Sequence, residues 1–267
     1  MSLALSRTGA GAPLVLLHAL GSSSHAWEAV VPALAERFEV VAVDLPGFGR
    51  SPAWETSRQP TPAALAEAVA ESLQEAGVNR PHVVGNSLGG WVGLELARVE
   101  PLATLTLLSP AGMWRHGTPL YCRVSLSGTR WLTEHLPGML RQVVGHPFGR
   151  AVVLGQTHGR PWRLTAAQAR RAVDEMGTCT GFAATLRATI PVHYRDSGGR
   201  PLPPVTVAFG TRDLILASRR WRRVDEIPGH VAVRTLPGCG HIPMYDDPQA
   251  VVALIMASTG QGGRTGG

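Results

Sequence analysis

The sequence predicts an α/β fold: a mostly parallel central sheet with helices on both faces, interrupted by a helical insertion. Three observations carry that expectation. Short continuous apolar runs, such as residues 14–17, 40–43, 102–108 and 205–209, have the length and composition of strands buried on both faces. Stretches with helical periodicity lie between them, and strand–helix alternation implies parallel strands joined by crossover helices. From Met113 to Arg200 the alternation stops, and helical pieces separated by Pro and Gly take its place.

In chain order, residues 3–7 are a candidate short strand, and a turn-like segment through Pro13 leads into the strand at 14–17. Ser24 is placed to cap a helix running to Phe38, with Trp27, Val30, Val31 and Leu34 on one side. The strand at 40–43 ends in the loop Asp44-Leu45-Pro46-Gly47-Phe48-Gly49-Arg50-Ser51. Thr61-Pro62 opens a helix whose inner face is Leu65, Val69, Leu73 and Ala76, and Gly77 stops it. Residues 82–84 form the next strand, followed by a tight corner and a helix from Trp91. Within the insertion, residues 120–136, 139–144 and 165–176 have helical character. After the strand at 205–209 a basic helix is expected around 218–224, then a strand at 231–236 and a closing helix at 248–256. The expected organisation is a core of residues 1–112 and 201–258, a helical cap of residues 113–200, and a disordered glycine-rich tail of residues 259–267.

Composition narrows the functional classes. All 25 basic residues are arginine, and the net charge is +6. The charge is concentrated: residues 113–200 hold twelve Arg and four acids, a balance of +8, and the remainder balances at −2. A basic surface can steer anionic ligands. No nucleic-acid recognition motif accompanies it, so no nucleic-acid partner is expected. No apolar run approaches the ~18 residues of a membrane span, and residues 1–11 lack a secretory signal, so neither membrane association nor export is expected. Cys122, Cys179 and Cys239 are widely spaced, cannot all pair within the chain and lack metal-ligand spacing, which fits a reducing, cytoplasmic setting. Neither a metal nor another cofactor is implied: the zinc, calcium, phosphate-loop and dinucleotide signatures are all missing.

The chemistry-bearing stretch is Val83-Val84-Gly85-Asn86-Ser87-Leu88-Gly89-Gly90. It matches G-x-S-x-G between a strand and a helix, the context in which a serine sits on a strained turn with its hydroxyl exposed. The helix starts directly after Ser87, so its unpaired N–H groups face the reacting centre, and the Leu88 N–H becomes one oxyanion donor. Two further loops follow strands: Gly210-Thr211-Arg212-Asp213 and Gly238-Cys239-Gly240-His241. Active groups in parallel sheets gather beyond the carboxyl ends of strands. The order Ser87, Asp213, His241 is the chain order of a nucleophile–acid–base set on such a sheet. In that arrangement His241 takes the Ser87 proton, and Asp213 fixes the imidazole and stabilises its cation. The second oxyanion donor is expected in the loop after residues 14–17, at the Leu20 N–H. His18 and Asp44 are read as loop-ordering groups. Asp246 and Asp247 are set aside as too close in sequence to His241 to act as its acid.

With these pieces together the chain resembles the α/β-hydrolase superfamily. The matching segments are H-A-L-G-S-S, D-L-P-G-F-G-R-S, G-N-S-L-G-G, G-T-R-D and G-C-G-H-I-P, and they cover nearly everything outside the insertion. The resemblance implies an α/β-hydrolase fold, a helical cap over the site, and a serine hydrolase with Ser87, His241 and Asp213 catalytic and Leu20 and Leu88 forming the oxyanion hole. It implies a small-molecule acyl substrate, most simply an apolar carboxylic ester, and a monomer or homodimer. Candidate pocket residues are Asn86, Met113, Trp114, Trp131 and Trp162. Serine at the elbow is unlike the haloalkane dehalogenases and epoxide hydrolases of this fold, which use aspartate there. Carbon–carbon bond hydrolysis, a lyase or cyclising step, and ligand binding without chemistry stay open as alternatives. The short N-terminus implies that the antiparallel first strand of such proteins is missing.

Overall fold

A computed structural model describes residues 2–54, 57–196, 198 and 200–260. Seven strands form one sheet: β1 (Leu5–Thr8), β2 (Ala12–Leu17), β3 (Phe38–Val43), β4 (His82–Asn86), β5 (Thr104–Leu108), β6 (Val205–Gly210) and β7 (Val231–Leu236). Their spatial order is β1-β3-β2-β4-β5-β6-β7. All neighbours pair in parallel except β1 with β3. The alternation of side chains along a strand decides the two cores. Val15, Leu17, Val83 and Leu107 enter one apolar cluster, and Leu14, Leu16, Val84 and Leu108 enter the other.

Helices cover both faces. On one lie α2 (Pro62–Glu75) and α3 (Leu88–Val99), and on the other α1 (Val31–Ala35) and α9 (Pro248–Ser258). Thr61 caps α2 by accepting the Ala64 N–H, with Pro62 in the first turn, where its missing donor costs nothing. Between β5 and β6 come α4 (Leu120–His135), α5 (Pro137–Val143), α6 (Pro147–Leu154), α7 (Ala166–Thr178) and α8 (Phe182–Thr189). These helices have a small core of their own, formed by Leu140, Val144, Leu154, Leu164, Ala169 and Val173. No strand interrupts residues 113–200 among those described. No described helix is long and apolar enough to cross a membrane.

Four sequence expectations are corrected. The sheet does begin with an antiparallel strand: Leu5 pairs with Val43 and Thr8 with Val40, giving β3 a partner on its outer side. The single helix expected over residues 24–38 is a 3₁₀ turn (Ser24–Trp27) and the short α1, because Pro32 cannot donate into a continuous helix and instead takes a first-turn position. The basic helix near residue 218 is two 3₁₀ turns, Arg219–Trp221 and Val224–Glu226. Helices α6 and α8, eight residues each, are additional to the helical pieces expected of the insertion. Of the tail, Thr259 and Gly260 finish α9, and residues 261–267 lie outside the described residues.

Candidate active site

Strand β4 runs through the middle of the sheet and delivers Ser87 at its carboxyl end. Ser87 has φ +53° and ψ −112°, a region that costs an L-residue energy. The surroundings hold it there. Its carbonyl accepts the N–H groups of Gly90, Trp91 and Ala111, and its own N–H donates to the Leu108 carbonyl. The corner also needs glycine: a Cβ on Gly85 would lie 2.2 Å from the Gly89 carbonyl oxygen, and one on Gly89 2.2 Å from that of Leu17.

That close approach sets the β2 loop against the start of α3, and the Gly89 N–H donates to the His18 carbonyl at 3.1 Å. Leu20 and Leu88 consequently flank the same cavity as Ser87. Leu88 is the first residue of α3, so its N–H has no carbonyl one turn back. The Leu20 N–H has no acceptor among the described residues. His18 is wholly buried and orders this loop. Its Nδ1 lies 2.8 Å from the Ala19 carbonyl, and its Nε2 accepts the Leu45 N–H at 2.9 Å. Burial lowers its pKa, which matches that neutral, one-donor pattern. Asp44 holds the neighbouring loop by accepting the Ser24 and Arg50 N–H groups.

Asp213 and His241 come from the loops after β6 and β7. His241 Nδ1 lies 3.0 Å from Asp213 Oδ2. The other carboxylate oxygen of Asp213 accepts the N–H groups of Ile215 and Leu216 at 3.0 and 2.8 Å. Burial alone would raise the Asp213 pKa. The His241 charge and hydrogen bond, the Leu216 N–H and the Ser109 hydroxyl outweigh it and hold the group at about 2. An ionised Asp213 accepts a hydrogen bond from Nδ1–H, which leaves His241 Nε2 as the basic nitrogen. Ser87 and His241 line the same cavity, and no hydrogen bond joins their side chains among the described residues.

Two residues that the sequence did not assign to this work hold the His241 loop. Asn86 Nδ2 donates to the carbonyls of Leu108 (2.9 Å) and His241 (2.8 Å), tying the loop to the strand that carries Ser87. Asp246 is fully buried. Its Oδ2 accepts the N–H groups of Gly159 (2.8 Å) and Gly240 (2.7 Å), and its Oδ1 that of Arg160 (2.7 Å). The Ile242 N–H donates to the Thr157 carbonyl at 2.9 Å. The insertion is therefore clamped to the loop bearing His241 at one buried carboxylate. The D-D-P ending of that loop was the available signal, but a helix cap explains it equally well, and Asp247 does cap α9.

Around Ser87 and His241 the cavity has two chambers. The first is apolar, with Trp91, Trp114, Leu126, Leu186 and Leu216 in its wall. The second is larger and carries Ser22, Gln156, His158 and Glu175 beside apolar residues. Trp114 is thus at the cavity, as expected. The other pocket assignments are corrected. Asn86 lies beneath the cavity as a loop anchor. Met113 is packed in the main core. Trp131 (54% exposed) stacks on His135 on an outer surface, and Trp162 (53% exposed) also faces outward. Cys122, Cys179 and Cys239 are free and buried.

Comparison with known proteins agrees with this architecture. The family model described as the alpha/beta hydrolase family matches residues 14–254. A pimeloyl-[acyl-carrier protein] methyl ester esterase from Methylococcus capsulatus is 40% identical, over 96% of this chain and 97% of its own length. An epoxide hydrolase from Mycobacterium tuberculosis is 27% identical, over 72% of this chain and 92% of its own. Among solved structures, a meta-cleavage product hydrolase from Pseudomonas fluorescens superposes with a TM-score of 0.75 at 18% identity, covering 98% of this chain and 95% of that one.

Proposed function

Because the chain belongs to the alpha/beta hydrolase family, we propose that it is a serine esterase. Ser87 is the nucleophile, His241 the base and Asp213 the acid. The observation that carries the reading is the Asp213–His241 hydrogen bond at the rim of a cavity that Ser87 also lines. In the reaction, His241 Nε2 removes the Ser87 proton as Oγ attacks the ester carbonyl. The Leu20 and Leu88 N–H groups receive the developing oxyanion. His241 then protonates the departing alcohol, and a water activated by the same nitrogen releases the acid. The serine–imidazole contact tightens as substrate binds, as catalytic hydrogen bonds commonly do. The helices of residues 113–200 act as a cap that supplies most of the cavity wall.

Serine in place of aspartate at the elbow sets the chain apart from the epoxide-opening reading that one relative's name suggests. The apolar chamber suits an acyl chain, and esterase relatives that align over nearly the whole chain support ester chemistry. Carbon–carbon bond hydrolysis of a diketone acid would gain from an arginine facing the substrate carboxylate, and none of the residues lining either chamber is arginine. Initial rates on a series of p-nitrophenyl esters test the proposal. Turnover should be lost by at least about 10³-fold in Ser87→Ala. Unchanged turnover in that variant would refute it.

A further inference from the structure

The larger chamber contains more polarity than an apolar ester needs. Glu175 projects into it from α7. Its Oε1 accepts from the Ser23 hydroxyl at 2.6 Å and lies 2.9 Å from His25 Nδ1. Its Oε2 has no hydrogen-bond partner among the described residues and is not sealed in the core. His158 reaches the same chamber. The Thr157 hydroxyl donates to the Leu154 carbonyl at 3.1 Å, so its oxygen is the acceptor for His158 Nδ1–H at 2.9 Å. That assigns the proton to Nδ1 and leaves Nε2 as a bare acceptor. Burial keeps the ring neutral by lowering its pKa. Nε2 also has no partner and is not sealed off. Two residues of one cavity wall thus each carry an accessible acceptor without a protein donor among the described residues. An accessible acceptor with no protein donor is free to take a hydrogen bond from a ligand hydroxyl that displaces water.

The position of the chamber indicates which half of the ester belongs there. His158 is close enough to His241 for the two rings to influence each other's charge, and Ile242, next to His241, is also in this wall. Ser87, His241 and Leu20 line both chambers, whereas Leu88, at the start of α3, lines only the apolar one, and His158 and Ile242 only this one. The alcohol oxygen must sit beside the imidazole that protonates it.

We propose that this chamber is the alcohol subsite, and that it selects esters of hydroxylated alcohols, of the diol or glycerol type, whose free hydroxyl donates to Glu175 Oε2 or His158 Nε2. The inference rests on the esterase reading and adds to it the class of alcohol. The test compares two esters of matched shape, 2-hydroxyethyl butanoate and n-propyl butanoate, by kcat/KM on the full chain. The wild type should favour the hydroxyethyl ester by about tenfold or more, the scale of a hydrogen bond to a charged acceptor. In Glu175→Gln the amide can turn its donor face to the cavity, so the ratio between the two esters should fall towards one. The ratio is internal to each protein and is insensitive to a general loss of activity. Equal rates in the wild type, or preference for the propyl ester, overturn the subsite while leaving the esterase standing. A wild-type preference that persists in Glu175→Gln and in His158→Phe overturns the assignment to these residues. Absence of Ser87-dependent turnover with either ester overturns both readings together.

Discussion

Asn86 donates from Nδ2 to the carbonyl of His241 at 2.8 Å, across 155 residues of chain. The residue next to the candidate nucleophile thus fixes the backbone of the candidate base. Because the same amide holds the Leu108 carbonyl, the end of β5 and the His241 loop share one anchor on β4. Misplacement of a catalytic group by about 1 Å can cost on the order of 100-fold in rate. Asn86→Ala is expected to lower kcat on a p-nitrophenyl ester by about 10- to 100-fold while KM changes little, since Asn86 does not face the cavity. Steady-state kinetics with a folding control by circular dichroism checks this. An unchanged kcat would show that the loop holds itself in place.

Asp246 accepts three backbone N–H groups with no exposure to solvent. Asp246→Ala would leave all three donors unpaired beneath a tightly packed contact. Gly159 and Gly240 cannot relieve it: an added Cβ would lie 2.3 Å from the Gly238 carbonyl oxygen at one and 2.6 Å from backbone atoms at the other. Losses of about 3 kcal/mol or more are expected in urea unfolding. Activity should fall more steeply with added urea than the global transition does, because the contact joins the insertion to the His241 loop.

The acid side of the stability profile should carry the mark of Asp213. Its pKa is about 2 in the folded chain, against ~3.9 for an unfolded aspartate. The folded value is the lower one, so the ionised form stabilises the fold above about pH 4. That contribution, on the order of 2 kcal/mol, fades as pH falls from about 4 towards 2. Asp213→Asn lacks the titrating group. Its urea midpoint should decline less than that of the wild type between pH 5 and pH 2.5, and parallel declines would contradict the low folded pKa.

What could be read from the sequence follows the physics of each feature. Ser87, Asp213 and His241 each follow a strand, buried for β4 and β6 and at the exposed edge for β7, and topology brings strand ends together whatever the loops between them do. The structure does place Asp213 against His241. Trp131 and Trp162 failed as cavity residues because apolar character in the insertion does not say which side of a helix faces inward. On α4, Cys122 and Leu126 face the cavity while Val124 and Trp131 face out. Residues 24–38 looked like one helix because the apolar spacing survives Pro32, although the hydrogen-bond ladder does not. Glu175 carries no local pattern, and the D-D-P that holds Asp246 reads as a helix cap. The partners that reveal their roles lie 86 and 152 residues away, at Arg160 and Ser23, and only the folded chain shows them.

The most direct test of the central claim is the site of covalent attack. Intact-mass measurement and peptide mapping of the full chain after reaction with a fluorophosphonate should give one adduct, on Ser87. Labelling should be suppressed in His241→Ala, because the hydroxyl needs its base. An adduct on another residue, or no adduct on a protein that still hydrolyses esters, would contradict the assignment of Ser87 as the nucleophile.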